Sequence, residues 1–143
     1  MLKKINPILS PELVKALMEM GHGDEIVLAD GNFPGTTIGQ RVIRADGHGV
    51  PELLDAILEY FPLDTYSEKQ VGLMEVTPGD PCVPTIWDDY KEIIKKHDDK
   101  AQIEFIERFA YYERAKKAFA VVQTGETAIY ANVILKKGVV LPE

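Results

Sequence analysis

Residues 10–30, SPELVKALMEMGHGDEIVLAD, carry the pattern from which the fold follows. Ser10-Pro11-Glu12 reads as an N-cap, a proline at the first helical position and an acid in the first turn, and Gly21 closes the segment. The spacing predicts a helix over 11–20. Glu25 to Asp30 (EIVLAD) is a short, largely apolar run between glycines, with Ile26 and Val27 adjacent, and it reads as a buried strand that ends at an acid.

The same alternation continues outward. Val50, Leu53, Leu54, Ile57, Leu58 and Phe61 recur at helical spacing behind Pro51, and Pro62 stops the run, so a helix with one core face is predicted there. Gln70 to Val76 reads as a strand. The Pro/Gly-rich stretch Thr77 to Pro84 leads into a helix with the apolar stripe Ile86, Trp87, Tyr90, Ile93 and Ile94. Gln102 to Ile106 is the next strand, Arg108 to Lys117 a helix of good helix formers, and Ala118 to Gln123 an extended apolar run. Thr124-Gly125-Glu126 is a turn signal, and Tyr130 to Leu135 is a last strand. Strands alternating with helices imply an α/β domain, a three-layer α/β/α sandwich on a largely parallel or mixed central sheet. The irregular stretches 31–40 and 77–84 read as surface loops. In such sheets ligands sit beyond the carboxyl ends of the strands, and Asp30 is placed at one.

At 143 residues, with 45% hydrophobic and 27% charged residues, the chain suits one domain over 1–143 with a packed core. A net charge of -7 and scattered lysine pairs argue against a nucleic-acid partner, because phosphate binding needs clustered Lys and Arg. Cys82, the one cysteine, can form no intramolecular disulfide and reads as incidental. No run reaches the length of a membrane span, and Met1 to Ser10 has no signal-peptide pattern, so the cytoplasm is the expected compartment and no membrane partner is expected.

Gly21-His22-Gly23-Asp24 sets an imidazole between two glycines at a helix-to-strand junction, which frees the backbone and lets a ligand approach closely. The plainer reading is a histidine capping the helix C-terminus. His48 also lies between glycines and His97 at a charged helix end. Both read as solvated, and spacing alone does not choose among the three. His22, Asp24, Glu25 and Asp30 form the only local group of metal-ligand types, without paired His or Cys, so no metal is expected. The Asp30-Gly31-Asn32-Phe33-Pro34-Gly35 glycines lack phosphate-loop and dinucleotide spacing, so no nucleotide cofactor is expected. Tyr130 and Asn132 are two apart, and on an extended chain they share one face, offering a phenol and an amide suited to a polyol. Arg108, at a strand-to-helix junction, also fits an ordinary ion-pair role.

Taken together, Ser10-Pro11-Glu12-Leu13, the 20–26 block around His22, Asp30 with Phe33-Pro34, Arg44-Ala45-Asp46-Gly47, Arg108 to Phe119, Thr124-Gly125-Glu126 and Tyr130-Ala131-Asn132 leading to Leu135-Lys136-Lys137-Gly138-Val139 resemble the ribose pyranase and fucose mutarotase family. The likeness covers almost the whole chain. It implies an α/β/α sandwich that assembles into rings, often a decamer, with sites near subunit boundaries and no cofactor. It further implies that His22 is the proton donor and that Asp30, Arg108, Tyr130, Ala131 and Asn132 bind a free monosaccharide. Arg108 within its block favours the fucose branch over the ribose branch, which carries histidine there; Ala131 departs from the glycine of some fucose-branch members. The implied activity is mutarotation of L-fucose by acid-base catalysed ring opening and closure, to which an imidazole is suited because both its protonation states occur near neutrality. Two other readings stand beside it: a ribose-type pyranase using the same ring opening, and a non-catalytic sugar-binding ring protein.

Overall fold

Ser10 starts the first helix as its spacing predicts: its Oγ accepts the Leu13 N–H at 3.1 Å, and α1 runs Pro11–Glu19. In a computed structural model, which describes residues 1–143, ten further elements succeed it. In order they are β1 (Glu25–Ala29), α2 (Gly35–Ile38), β2 (Val42–Ala45), α3 (Val50–Leu58), β3 (Val71–Met74), α4 (Ile86–His97), β4 (Ile103–Ile106), α5 (Arg108–Lys117), β5 (Ala120–Thr124) and β6 (Val133–Lys136).

One sheet of order β2-β5-β1-β6-β3-β4 takes all six strands. β1, β2 and β5 pair in parallel, as do β3 and β4, while β6 runs antiparallel to β1 and β3. The sheet is therefore mixed. Its one reversed strand has a simple cause: a parallel connection needs a crossover of a dozen or more residues, and residues 125–132 between β5 and β6 are too few. β6 consequently starts at the end of the sheet where β5 finishes.

Alternate strand residues serve the two faces. Ile26, Leu28, Val71, Leu73, Ala120, Val122, Val133 and Leu135 pack with α1, α3 and α4, whereas Val27, Ala29, Met74, Val121 and Ile134 pack with Phe33 and with Tyr111 and Ala115 of α5. That division makes the three layers. Ile26, Leu28 and Leu135 are wholly buried, and truncating such a leucine to alanine costs about 2–5 kcal/mol.

Several expectations shift. The helix read to Phe61 ends at Leu58, with Tyr60 and Phe61 N–H groups turning back to the Ile57 carbonyl. The 31–40 stretch is not simply a loop, because it contains α2 and is followed by β2, whose Val-Ile-Arg-Ala sequence is too short to show a period. The last strand begins at Val133 rather than Tyr130, which has φ 56° in the left-handed region and cannot extend the ladder. The strand read from Ala118 to Gln123 lies at Ala120–Thr124. No helix is long and apolar enough to cross a membrane.

Candidate functional site

The carboxyl ends of β1, β3 and β4 and the start of β6 surround a cleft of about 300 Å³, lined in part by Asp30, Asp80, Arg108, Tyr112, Tyr130 and Asn132. Asp30 follows β1 directly and is buried. Its Oδ1 accepts the Asn32 N–H at 3.0 Å and its Oδ2 the Ala131 N–H at 3.4 Å. The Asp30 N–H donates to Asn132 Oδ1 at 2.8 Å, and its carbonyl accepts from Gln123 Nε2 at 2.7 Å. Asp30 and Asn132 are thus locked to one another, and the occupied amide oxygen leaves the Asn132 nitrogen as the group offered to the cleft. Burial pushes the Asp30 carboxyl above the usual carboxylate range, against the lowering effect of the Asn32, Ala131 and Phe33 backbone groups; the nearby Glu126 charge pushes the same way as burial.

Tyr130 and Asn132 reach the same cleft by a route different from the extended backbone expected of them. The left-handed Tyr130 is held by α4: Trp87 Nε1 donates to its carbonyl at 2.8 Å, and the buried Tyr90 hydroxyl donates to the Ala131 carbonyl at 2.7 Å. Two fixed donors offset the strain of a non-glycine residue in that conformation. Ala131 is wholly buried and meets Asp30 through its N–H alone.

Arg108 is the first residue of α5, whose N-terminus Glu107 caps by accepting the Phe109 and Ala110 N–H groups at 3.0 Å. Its Nε donates to the Tyr112 hydroxyl at 3.1 Å, and the guanidinium carbon lies 5.3 Å and 5.4 Å from the Phe109 and Tyr112 ring centres. The remaining guanidinium donors are available to a ligand. Sequence reading missed Tyr112 and Asp80. Tyr112 had a signal, since it lies one helical turn beyond Arg108.

His22 lies at the other end of the sheet, before β1. A five-residue strand spans about 16 Å, so the imidazole and the cleft are well separated within one chain. It is not among the residues lining the cleft. Nor does it cap α1, whose last turn is closed by Met20. His22 Nε2 lies 2.9 Å from Asp64 Oδ1, with the Tyr66 ring centre 5.0 Å away. The imidazole is 44% exposed and the carboxylate 4%. Asp64 also accepts the Tyr66 N–H at 3.0 Å and the Ser67 hydroxyl at 2.8 Å. Desolvation alone would raise its carboxyl, but the bonds from His22, Ser67 and Tyr66 outweigh it and hold the group below the usual range. Asp64 was invisible in sequence because 42 residues separate it from His22. His48 and His97 pair with Glu52 at 2.9 Å and Asp55 at 2.7 Å, and His97 is only 13% exposed rather than solvated. No three His, Cys, Asp or Glu side chains gather as a metal would require.

The sequence model of the RbsD / FucU transport protein family matches residues 3–140. The chain belongs to this family. Relatives within it include the fucose mutarotase of Danio rerio, 54% identical over 99% of this chain and 96% of its own length, and that of Homo sapiens, 53% identical over 96% and 94%. The crystal structure of the fucose mutarotase in complex with L-fucose from Streptococcus pneumoniae superposes with a TM-score of 0.94 at 52% identity, covering 98% of this chain and all of that one. The family match spans the His22 end and the cleft end alike.

Proposed function

We propose that this chain is an L-fucose mutarotase that interconverts the anomers of the free sugar by opening and reclosing its ring. The observation that carries the reading is the cleft in which a buried carboxylate, an amide nitrogen, a phenol and a guanidinium converge. This is a hydrogen-bonding set for a neutral polyol of one ring. Family membership and relatives named fucose mutarotase at more than 50% identity support the same reaction.

Asp30 accepts from sugar hydroxyls, Asn132 and Arg108 donate to sugar oxygens, Tyr130 supplies the phenol, and the Ala131 backbone keeps Asp30 aimed. Ring opening delivers a proton to the ring oxygen and removes one from the anomeric hydroxyl; reclosure on the other carbonyl face gives the second anomer. His22 is the proton donor, oriented by Asp64 behind it as an imidazole is fixed by a carboxylate. Because His22 and the cleft lie at opposite ends of β1, the donor comes from a neighbouring copy. One copy's amino end can meet another's carboxyl end across a two-fold axis or, where a heterologous contact has a rotation that closes, around a ring, and the reading takes the assembly to be a decamer. The reading carries the cytoplasm as its compartment, where a lone thiol such as Cys82 stays reduced.

Saturation-transfer NMR of anomeric exchange tests it. The chain accelerates exchange of L-fucose more than the ring exchange of D-ribose. Equal rates with and without protein end the proposal, and a preference for ribose moves the chain to a pyranase.

A further inference from the structure

Asp80 lies on the connection between β3 and α4, in the stretch read from sequence as a plain surface loop. Its carboxylate is held at two points. Oδ1 accepts the Cys82 N–H at 2.9 Å, and Oδ2 accepts the Tyr130 hydroxyl at 2.7 Å, across 50 residues of chain. The Thr77 N–H reaches the same phenol oxygen at 3.3 Å. Thr77, Asp80 and Tyr130 all line the cleft.

These contacts fix the polarity of the phenol. A tyrosine hydroxyl has one proton to give and lone pairs to receive, whereas an ionised carboxylate only receives. The bonds from the Tyr130 hydroxyl and the Cys82 N–H hold the Asp80 carboxyl below the usual range, so it stays ionised. The Tyr130 proton therefore points at Asp80 and the Thr77 N–H occupies one acceptor position, so the phenol has no proton left to donate to the cleft and can meet a ligand there only as an acceptor. Between two hydroxyls the direction would be free to reverse. Against a carboxylate it is not.

We propose that Asp80 is a positioning residue that makes Tyr130 an acceptor-only contact, so that the site selects sugars bearing a free hydroxyl where they meet this phenol. The inference rests on the cleft being the sugar site. It completes a division of labour in which Asp30 and Tyr130 accept while Asn132 and Arg108 donate. A site of fixed polarity rejects an analogue that lacks the matching group more strongly than an adaptable one does. Asp80→Asn is nearly isosteric and inverts the arrangement: with its oxygen still on the Cys82 N–H, its nitrogen donates to the phenol oxygen and turns the phenol proton toward the cleft.

The test is a set of calorimetric titrations of L-fucose and its 2-, 3- and 4-deoxy and deoxyfluoro analogues into wild type, Tyr130→Phe and Asp80→Asn. The hydroxyl that meets Tyr130 is the one whose removal ceases to matter in Tyr130→Phe. At that position the wild type loses about tenfold in affinity for the deoxy and the deoxyfluoro sugar alike, because fluorine accepts but cannot donate. Asp80→Asn binds the deoxyfluoro sugar about threefold more tightly than the deoxy sugar. Equal affinities in Asp80→Asn, or a wild type that binds every deoxyfluoro sugar as tightly as fucose, overturns the proposal; the wild-type ranking alone decides it if the variant does not fold. Parallel exchange measurements separate this inference from the mutarotase reading. The expected ranking without accelerated exchange ends only the mutarotase, accelerated exchange without the ranking ends only the role of Asp80, and no binding of L-fucose ends both.

Discussion

The two ends of one sheet hold what the proposed mutarotase makes complementary halves of one chemistry. At the carboxyl end, Asp30, Tyr130, Asn132 and Arg108 converge on a cleft that contains no imidazole. At the amino end, His22 stands half-exposed with a buried carboxylate behind it, outside that cleft. β1 joins them, three residues after His22 on one side and one before Asp30 on the other. The difference teaches that a small domain need not enclose its site: a rigid strand separates the halves within one copy, and the proposed mutarotase unites them by packing one copy against another.

The sharpest attempt to break this pairing is His22→Ala. It lowers the acceleration of L-fucose exchange by about 100- to 10,000-fold while the sugar still binds, as saturation-transfer NMR and calorimetry will show. Loss of binding with unchanged exchange in the residual bound fraction would assign the imidazole to the binding half instead.

Mixing the two halves comes next. His22→Ala and Asp30→Ala chains are each nearly inactive, yet coassembled in equal amounts they recover up to about one quarter of wild-type activity, because about one site in four then draws both native groups from different copies. Inactive mixtures, with coassembly verified by native mass spectrometry, would show that each site is confined to one chain.

Asp30→Asn weakens L-fucose binding by about tenfold, since a buried acceptor facing the sugar becomes in part a donor. It also has a pH signature. The folded Asp30 carboxyl holds its proton above the ordinary range, so the unfolded chain releases that proton first as pH rises. Wild-type stability relative to the variant therefore falls with rising pH across the window from the ordinary carboxylate value up to the raised folded one. Thermal melts from acid to neutral pH measure this, and a difference that grows in favour of wild type would contradict it.

Asp64→Asn has the smallest expected effect, a loss of about fivefold in exchange rate at unchanged sugar affinity, through looser orientation of His22. Its sign on stability is opposite to that of Asp30. The folded Asp64 carboxyl sits below its ordinary value, so its contribution is complete above that value and disappears as pH falls through the lowered folded one. The variant is correspondingly less sensitive to acid in the same melts.

Local patterns in the sequence determined much of this molecule. Ser10-Pro11 and Pro51 started helices where expected, because capping and the fixed φ of proline act over a few residues. The two-residue alternation in β1, β5 and β6 divides cleanly between the two faces of the sheet. Asp30 at a strand end, and Arg108 and Tyr130 near others, were legible because strand ends are where such sheets expose side chains. Only the tertiary structure decided the antiparallel course of β6, the left-handed turn at Tyr130, the pairing of His22 with Asp64 and of Tyr130 with Asp80, and the distance between His22 and the cleft. These depend on contacts across 42 and 50 residues and on the length of one strand. A local pattern carries no information about which distant group it will face, because that is settled by how the layers pack.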